Sequence, residues 1–253
     1  MMKAYLINMA AATERLRFVT EQVARLRLSL VRVEAINGRQ LPEPYEGYSP
    51  LAFMLKHGKR TNPAEIGCYF SHIKALSEFL ASGDSHGLIL EDDVAFTPDA
   101  STLIATALRH AAEWDILRLS ALHDPVRVKV RALDARHALC VDLTKQTGAG
   151  AYVVNRRAAQ VLVKRLLPMS LPYDHAFDHE WSMGLVSLSL HPIIADQKGV
   201  EGTQINASNS YKLPGWRRYW STIPYRAAME LARFVCRSVL ALRLRSIRPA
   251  ASP

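Results

Sequence analysis

The stretch Gly87-Leu-Ile-Leu-Glu-Asp-Asp-Val-Ala-Phe96 sets three adjacent carboxylates directly behind an apolar run. Leu88-Ile-Leu90 suits the central strand of a sheet covered on both faces. The acids begin where that strand would end, at the rim where α/β sheets bind their ligands. Side chains alternate along extended backbone, so Glu91 and Asp93 would share one side while Asp92 faces the other. Two carboxylates on one side of rigid backbone can hold a hard divalent cation, Mg²⁺ or Mn²⁺, which takes its remaining ligands from water and a diphosphate. A solvated strand end feeding a polar loop is the alternative that the local pattern leaves open.

Outward from this strand, apolar runs of strand length alternate with helical ones. Residues 3–8 and 30–36 read as strands, and 13–28 as a helix with Thr13 as its N-cap. Asn37-Gly38 is a turn pair, and 39–63 reads as an irregular stretch rich in Pro, Gly and Tyr, the composition of an active-site loop. Helices follow at 64–80 and 101–112, strands at 115–119 and 151–154, and Asn155 caps a helix that runs to Pro168. Such alternation predicts a single α/β domain over residues 1–212, with a mainly parallel central sheet and substrate at the carboxyl ends of its strands.

With 253 residues, 49% hydrophobic and 22% charged, the chain can bury a sizeable core, and its composition excludes disordered and collagenous classes. The start, from Met1, has too short an apolar core for a secretory signal, and no run of about eighteen apolar residues exists to cross a bilayer. Cys68, Cys140 and Cys236 are odd in number and widely spaced, which fits a reducing compartment. The net charge of +9 is uneven: from Leu213 onward eight arginines meet one acid, Glu230, giving +7 and leaving +2 for the rest. Residues 225–247 of this tail (213–253) read as a helix on which Arg226, Arg233 and Arg237 share one face. Such a helix can lie on an anionic membrane surface, or pack on the domain with its basic side in water.

Beyond these local patterns, Thr61-Asn-Pro-Ala-Glu-Ile-Gly-Cys-Tyr-Phe-Ser-His72 followed by Leu88-Ile-Leu-Glu-Asp-Asp-Val94 resembles the signature of glycosyltransferase family 25, the lipopolysaccharide and lipooligosaccharide transferases. Further blocks match in order: Tyr5-Leu-Ile-Asn-Met with Arg15, Ala35-Ile-Asn-Gly38, Gly148-Ala-Gly-Ala-Tyr-Val-Val, and Pro172-Tyr-Asp174 with Pro192 and Gln197. The resemblance covers roughly residues 3–200 and implies a GT-A-type, Rossmann-like fold. It also implies inverting transfer of a sugar, often galactose, from a UDP-sugar to a hydroxyl of a glycan or lipid-linked glycan acceptor. In that picture Glu91, Asp92 and Asp93 form the DxD-like element, with Asp93 on metal, joined by Glu91, and Asp92 or Glu91 on ribose or supporting the ligands. The triplet departs from the family pattern by beginning with Glu.

Inversion needs a base to take the acceptor's proton. The segment Leu171-Pro-Tyr-Asp-His-Ala-Phe-Asp-His-Glu-Trp181 is the other dense cluster of ionisable groups. Asp174 matches the family position after a proline; Asp178, four residues on, is the second candidate, and helix capping or simple solvation is the alternative for either. His175, His179 and Glu180 fit no standard zinc spacing. Asn8 and Arg15, at the first strand-to-helix passage, are candidates for nucleotide contact, as are Ser71 and His72. Arg118 at a strand end could balance diphosphate charge. Two other classes compete, a nucleic-acid-binding protein using the tail and a metal-dependent nucleotide-sugar hydrolase. The expectation is a transferase at the cytoplasmic face of the inner membrane that does not bind nucleic acid.

Overall fold

The structure, a computed structural model, describes residues 2–197 and 215–246. The expected boundary at 212–213 and the helix end at 247 lie outside the described residues. The first half runs β1 (Lys3–Asn8), α1 (Thr13–Arg25), β2 (Ser29–Glu34), α2 (Pro50–His57), α3 (Pro63–Ser82), β3 (His86–Glu91), β4 (Ala95–Phe96) and α4 (Ala100–Leu108). The second runs β5 (Ile116–Arg118), β6 (Arg127–Ala132), β7 (Ala138–Asp142), β8 (Ala151–Asn155), α5 (Arg156–Arg165), α6 (Tyr173–Phe177), β9 (Ser187–His191), β10 (Ala195–Asp196), α7 (Gly215–Trp220) and α8 (Thr222–Ser246).

Eight strands form one sheet in the order β2-β1-β3-β8-β5-β9-β7-β6. The pairings make six of them point one way, with β8 and β7 running against the rest. This is the expected α/β architecture with a mainly parallel sheet. Alternation splits the central strands between two cores: Leu88 and Leu90 pack on one face, and Ile89 on the other with Tyr5. A fully buried aliphatic side chain of this kind contributes roughly 1.5–3 kcal/mol, so β3 is fixed in register from both sides.

The helix α3 begins at Pro63, whose missing N–H costs nothing there, and the Asn62 side chain accepts from the Ala64 N–H at 3.1 Å. Its Gly67 lies against the turn after β2, where a side-chain Cβ would stand 2.4 Å from the Ile36 carbonyl oxygen. Only glycine permits that approach, which places the 35–39 turn beside the carboxyl ends of β1 and β3. Two expectations fail locally. Thr13 is the first helical residue and not the cap, which is Ala12 without a side-chain bond. The stretch expected to be irregular contains α2, started by Pro50 and pinned by buried Phe53.

The tail is not a separate unit among the described residues, because Ala241 and Leu244 of α8 belong to the main core. Its basic stripe faces inward: Arg233 and Arg237 are buried at 2% and 4% exposure. Arg237 bonds Glu180 at 2.7 Å and Asp178 at 3.0 Å, and Arg233 lies 3.3 Å from Asp178 and pairs with Glu230. The apolar face of α8 therefore points outward, with Leu231, Val239 and Leu242 more than half exposed. Helical spacing told which residues share a face. The carboxylates at 178 and 180 decide which face turns in.

Candidate active site

The carboxyl ends of β1, β2 and β3 open into a cleft of about 820 Å³ lined by Ile7, Arg15, Asn37, His72, Glu91, Asp92, Asp93 and Asp174, among others. The acids behind β3 thus face a cavity. The strand ends at Glu91, and Asp92 and Asp93 follow in a turn, so the expected alternation does not run on to Asp93. Asp92 turns toward the first strand, accepting from Asn8 Nδ2 at 2.8 Å and Arg15 at 3.0 Å, and it is 9% exposed. With both oxygens engaged, Asp92 is a brace that ties Arg15 of the cleft wall to buried Asn8. Asn8 is fixed further by Arg32, which donates to its Oδ1 at 2.8 Å.

Glu91 lies on the other side. One oxygen is 3.1 Å from His72 Nε2 and the other accepts from Gln197 Nε2 at 2.9 Å. Behind His72 its Nδ1 is 3.1 Å from the Tyr152 hydroxyl, which is 2.8 Å from the Tyr173 hydroxyl. A carboxylate needs a donor, so Nε2 carries the proton, Nδ1 accepts from Tyr152, and Tyr152 accepts from Tyr173. The imidazole also stacks on Tyr173, with ring centroids 3.9 Å apart. Burial pushes both phenols up, so they stay protonated and this chain fixes the rotamer of Glu91. Gln197 reaches the site through the short ribbon of β10 against β4, and Gly150 leaves room for it, since a Cβ there would stand 2.8 Å from its amide.

Asp93 keeps one oxygen unmatched, although Gln197 also bonds its carboxyl. Its Oδ1 is buried without a hydrogen-bond partner, and burial, then Glu91 and Asp92, push its carboxyl up to about 6. An orphaned carboxylate oxygen beside a second carboxylate is an environment that a divalent cation relieves, so Asp93 and Glu91 fit a hard-ion site. A softer donor set overlaps it: atoms of Cys68, His72 and Glu91 lie within 4.8 Å of one another. Burial and then the surrounding acids, Glu91 first, push the Cys68 thiol well above its usual range, so it enters that set as a neutral thiol. Oxygen donors are the better match.

Asp174, at the first turn of α6, lines the same cleft, and burial raises its carboxyl above the ordinary aspartate value. A raised carboxylate is a better proton acceptor. Asn8, expected to contact the nucleotide, is 1% exposed and does not line the cleft, its amide being spent on Asp92 and the Ala12 carbonyl. Two further expected site residues fall outside. Asp178 is completely buried at the end of α6, within 3.4 Å of Arg118, Arg233 and Arg237, and those cations hold its carboxyl low against the cost of burial. Arg118 belongs to the same cluster, at 2% exposure and stacked on Phe177 at 4.5 Å. Neither lines the cleft, and both are structural. Ser71 does reach the cleft wall, but it accepts from the Ile36 N–H at 2.8 Å and donates to the Gly67 carbonyl, tying α3 to the 35–39 turn. Sequence reasoning missed His57, Glu65, Cys68 and Gln197 as lining residues. Of these Gln197 carried a signal, its place in the last matching block.

A family model described as glycosyltransferase family 25 (LPS biosynthesis protein) matches residues 1–177, and the chain belongs to that family. Procollagen galactosyltransferase 1 of Danio rerio is 24% identical over 76% of this chain and 35% of its own length. A glycosyltransferase 25 family member of Aedes aegypti is 27% identical over 45% of this chain and 20% of its own. The chain thus spans about a third or less of the length of these relatives. Among solved structures, a glycosyltransferase involved in glycosylation of the major capsid of PBCV-1 superposes with TM-score 0.39 and 11% identity, covering 72% of this chain and 75% of that one. The crystal structure of A197 from STIV gives 0.43 and 12%, covering 78% and 86%.

Proposed function

We propose that the chain transfers a sugar, galactose first among the candidates, from a UDP-sugar to a hydroxyl of a lipopolysaccharide-type or related surface glycan. The observation that carries this reading is the convergence of Glu91, Asp93 and Asp174 on one cleft at the carboxyl edge of the sheet. Met9, Arg15 and the 35–39 turn form the side of the cleft where the nucleotide would lie. Glu91, held by His72 and Gln197, and Asp93 would hold a divalent cation, Mn²⁺ or Mg²⁺, which when bound neutralises charge on the departing diphosphate. Asp174 would take the proton from the acceptor hydroxyl as its oxygen bonds to the anomeric carbon and the bond from that carbon to the diphosphate breaks, with inversion. The galactosyltransferase named among the relatives supports the choice of sugar. The test offers UDP-galactose, UDP-glucose and UDP-N-acetyl sugars with isolated rough lipopolysaccharide and follows sugar on the acceptor. Hydrolysis without incorporation, or no consumption of any donor, would overturn the proposal.

Membrane contact also belongs to this reading, by the opposite face of the tail from the one its charge suggested. Trp216, Tyr219 and Trp220 of the adjoining α7 are exposed like the apolar stripe of α8, and Arg243 and Arg245 are exposed at the far end. An apolar stripe with interfacial aromatics and flanking cations suits the headgroup boundary of an anionic leaflet. For an acceptor of this kind that would be the cytoplasmic leaflet of the inner membrane. No described helix is long and apolar enough to cross a membrane.

A further inference from the structure

Beyond Asp174 the cleft reaches groups that the transfer just described does not use. His57, at the end of α2, and His175, in α6, line it with ring centroids 5.3 Å apart, edge to face. His57 is 4% exposed and neither ring nitrogen has a hydrogen-bond partner. Buried polar groups are rarely left so, and an orphaned one marks a place where a partner is missing. A small side pocket opens beside His175 and is walled by Lys56, Lys145 and Arg226 as well.

Three elements and a loop bring these cations together. Lys145 Nζ stands 3.3 Å from His175 Nε2, Arg226 of α8 donates to the His57 carbonyl at 2.9 Å, and Lys56 of α2 donates to Ser170 Oγ at 3.0 Å. Among the described residues none of the three has an acidic group within ion-pair distance; the only acid in the side-pocket wall, Glu230, is taken by Arg233. Elsewhere this fold matches half-buried arginines to carboxylates, as at Arg127 with Asp142 and Arg131 with Glu113. The unneutralised charge is felt at the imidazoles. Burial first and then Lys59, Arg226 and Lys145 push His57 down to about 3, so it is neutral in use and keeps one N–H to donate and one lone pair to fill.

We propose that this corner is an anion subsite for the acceptor, which carries a phosphate or carboxylate that sits among Lys56, Lys145 and Arg226 and accepts from the imidazole N–H groups of His57 and His175. The acceptor assignment rests on the transfer reading, whereas binding of the anion does not. Three cations converging on one small pocket recognise a compact, multiply charged oxyanion rather than a neutral hydroxyl. Held there, the anionic group fixes the acceptor with its attacking hydroxyl toward Asp174. The same chemistry could come from the diphosphate of the donor, and the experiment separates the two sources.

The full-length protein, labelled at histidine, is titrated with inorganic phosphate and separately with UDP and Mn²⁺, following the imidazole resonances by NMR. Phosphate should move His57 and His175 saturably in the millimolar range, and Lys145→Gln and Arg226→Gln should each weaken it by about tenfold while UDP affinity holds. Lys56→Gln, at a residue that makes no hydrogen bond to α8 and meets it only over the Tyr225 ring at 5.8 Å, serves where Arg226→Gln lowers the melting temperature. Lipooligosaccharide stripped of its phosphates should then show a raised KM with kcat nearly kept. Phosphate that leaves both imidazoles unmoved overturns the subsite. Competition between UDP and phosphate, with variants that weaken both equally, overturns its assignment to the acceptor. Because phosphate binding is read without turnover, failure of the sugar-transfer reading in the donor panel would be seen separately.

Discussion

Asp93 carries the most consequence of any single residue. Its carboxyl is pushed up to about 6 from the ordinary 3.8 by burial, Glu91 and Asp92. An acid with a raised folded pKa is held protonated by the folded state, so its contribution to stability is lost as pH rises from the unfolded value through about 6. The loss amounts to up to about 2–3 kcal/mol at neutral pH, and a cation bound by the ionised carboxylate offsets it. Mn²⁺ should therefore raise the melting temperature above about pH 7 and do little below about pH 5, where protons occupy the site. Asp93→Asn should melt higher than wild type without metal at neutral pH and lose most of the Mn²⁺ shift. An unchanged Mn²⁺ shift in that variant would move the ion elsewhere. At Asp174 the expectation is kinetic: Asp174→Asn should lower kcat by about 10²–10⁴-fold with UDP affinity kept, as loss of a general base does. A wild-type kcat would leave the proton with another group.

At the scale of elements, α8 is held by buried ion pairs, and the sign of a tail truncation follows. Removing residues 215–253 strips Arg233 and Arg237 from Asp178 and Glu180, both completely or nearly buried. A buried charge left unpaired costs about 3–5 kcal/mol, so Arg237→Ala should lower the stability to urea by that much, while Arg243→Ala, exposed, should stay within about 0.5 kcal/mol. Equal small effects at both positions would mean that the helix is not anchored there. The same elements show what sequence can and cannot tell. The end of β3 was legible because the apolar run 88–90 is a local signal, but alternation stops at Glu91, and Asp92 and Asp93 stand in the turn that follows. The α/β order was legible because strand and helix periods differ. Helix α2 was hidden by the Pro- and Tyr-rich composition of its surroundings. The roles of Asp178 and Arg118 were not legible, because their partners lie 55 to 60 residues away along the chain (Arg233 and Arg237; Asp178). The inward turn of the arginine stripe was lost for the same reason: periodicity groups residues on a face and is silent about which face meets the core.

At the scale of the whole molecule, the outward apolar stripe of α8 and the cleft are parts of one body, because α8 both carries the stripe and anchors beside α6, the helix that bears Asp174. Docking by that stripe would hold the cleft at a fixed height above a bilayer. Vesicles rich in anionic lipid should sediment the protein while neutral vesicles do so weakly, and Leu231→Glu with Leu242→Glu should abolish it; retention by the double variant would locate contact elsewhere. The central claim is that acids at the end of β3 hold a cation that holds the leaving diphosphate. It is tested most directly by UDP release from UDP-galactose in the presence of acceptor, measured with Mn²⁺ and with excess chelator for wild type and Asp93→Ala. The account predicts release by wild type that stops with chelator and is absent from the variant in both conditions; equal release by wild type and variant, indifferent to chelator, would contradict it.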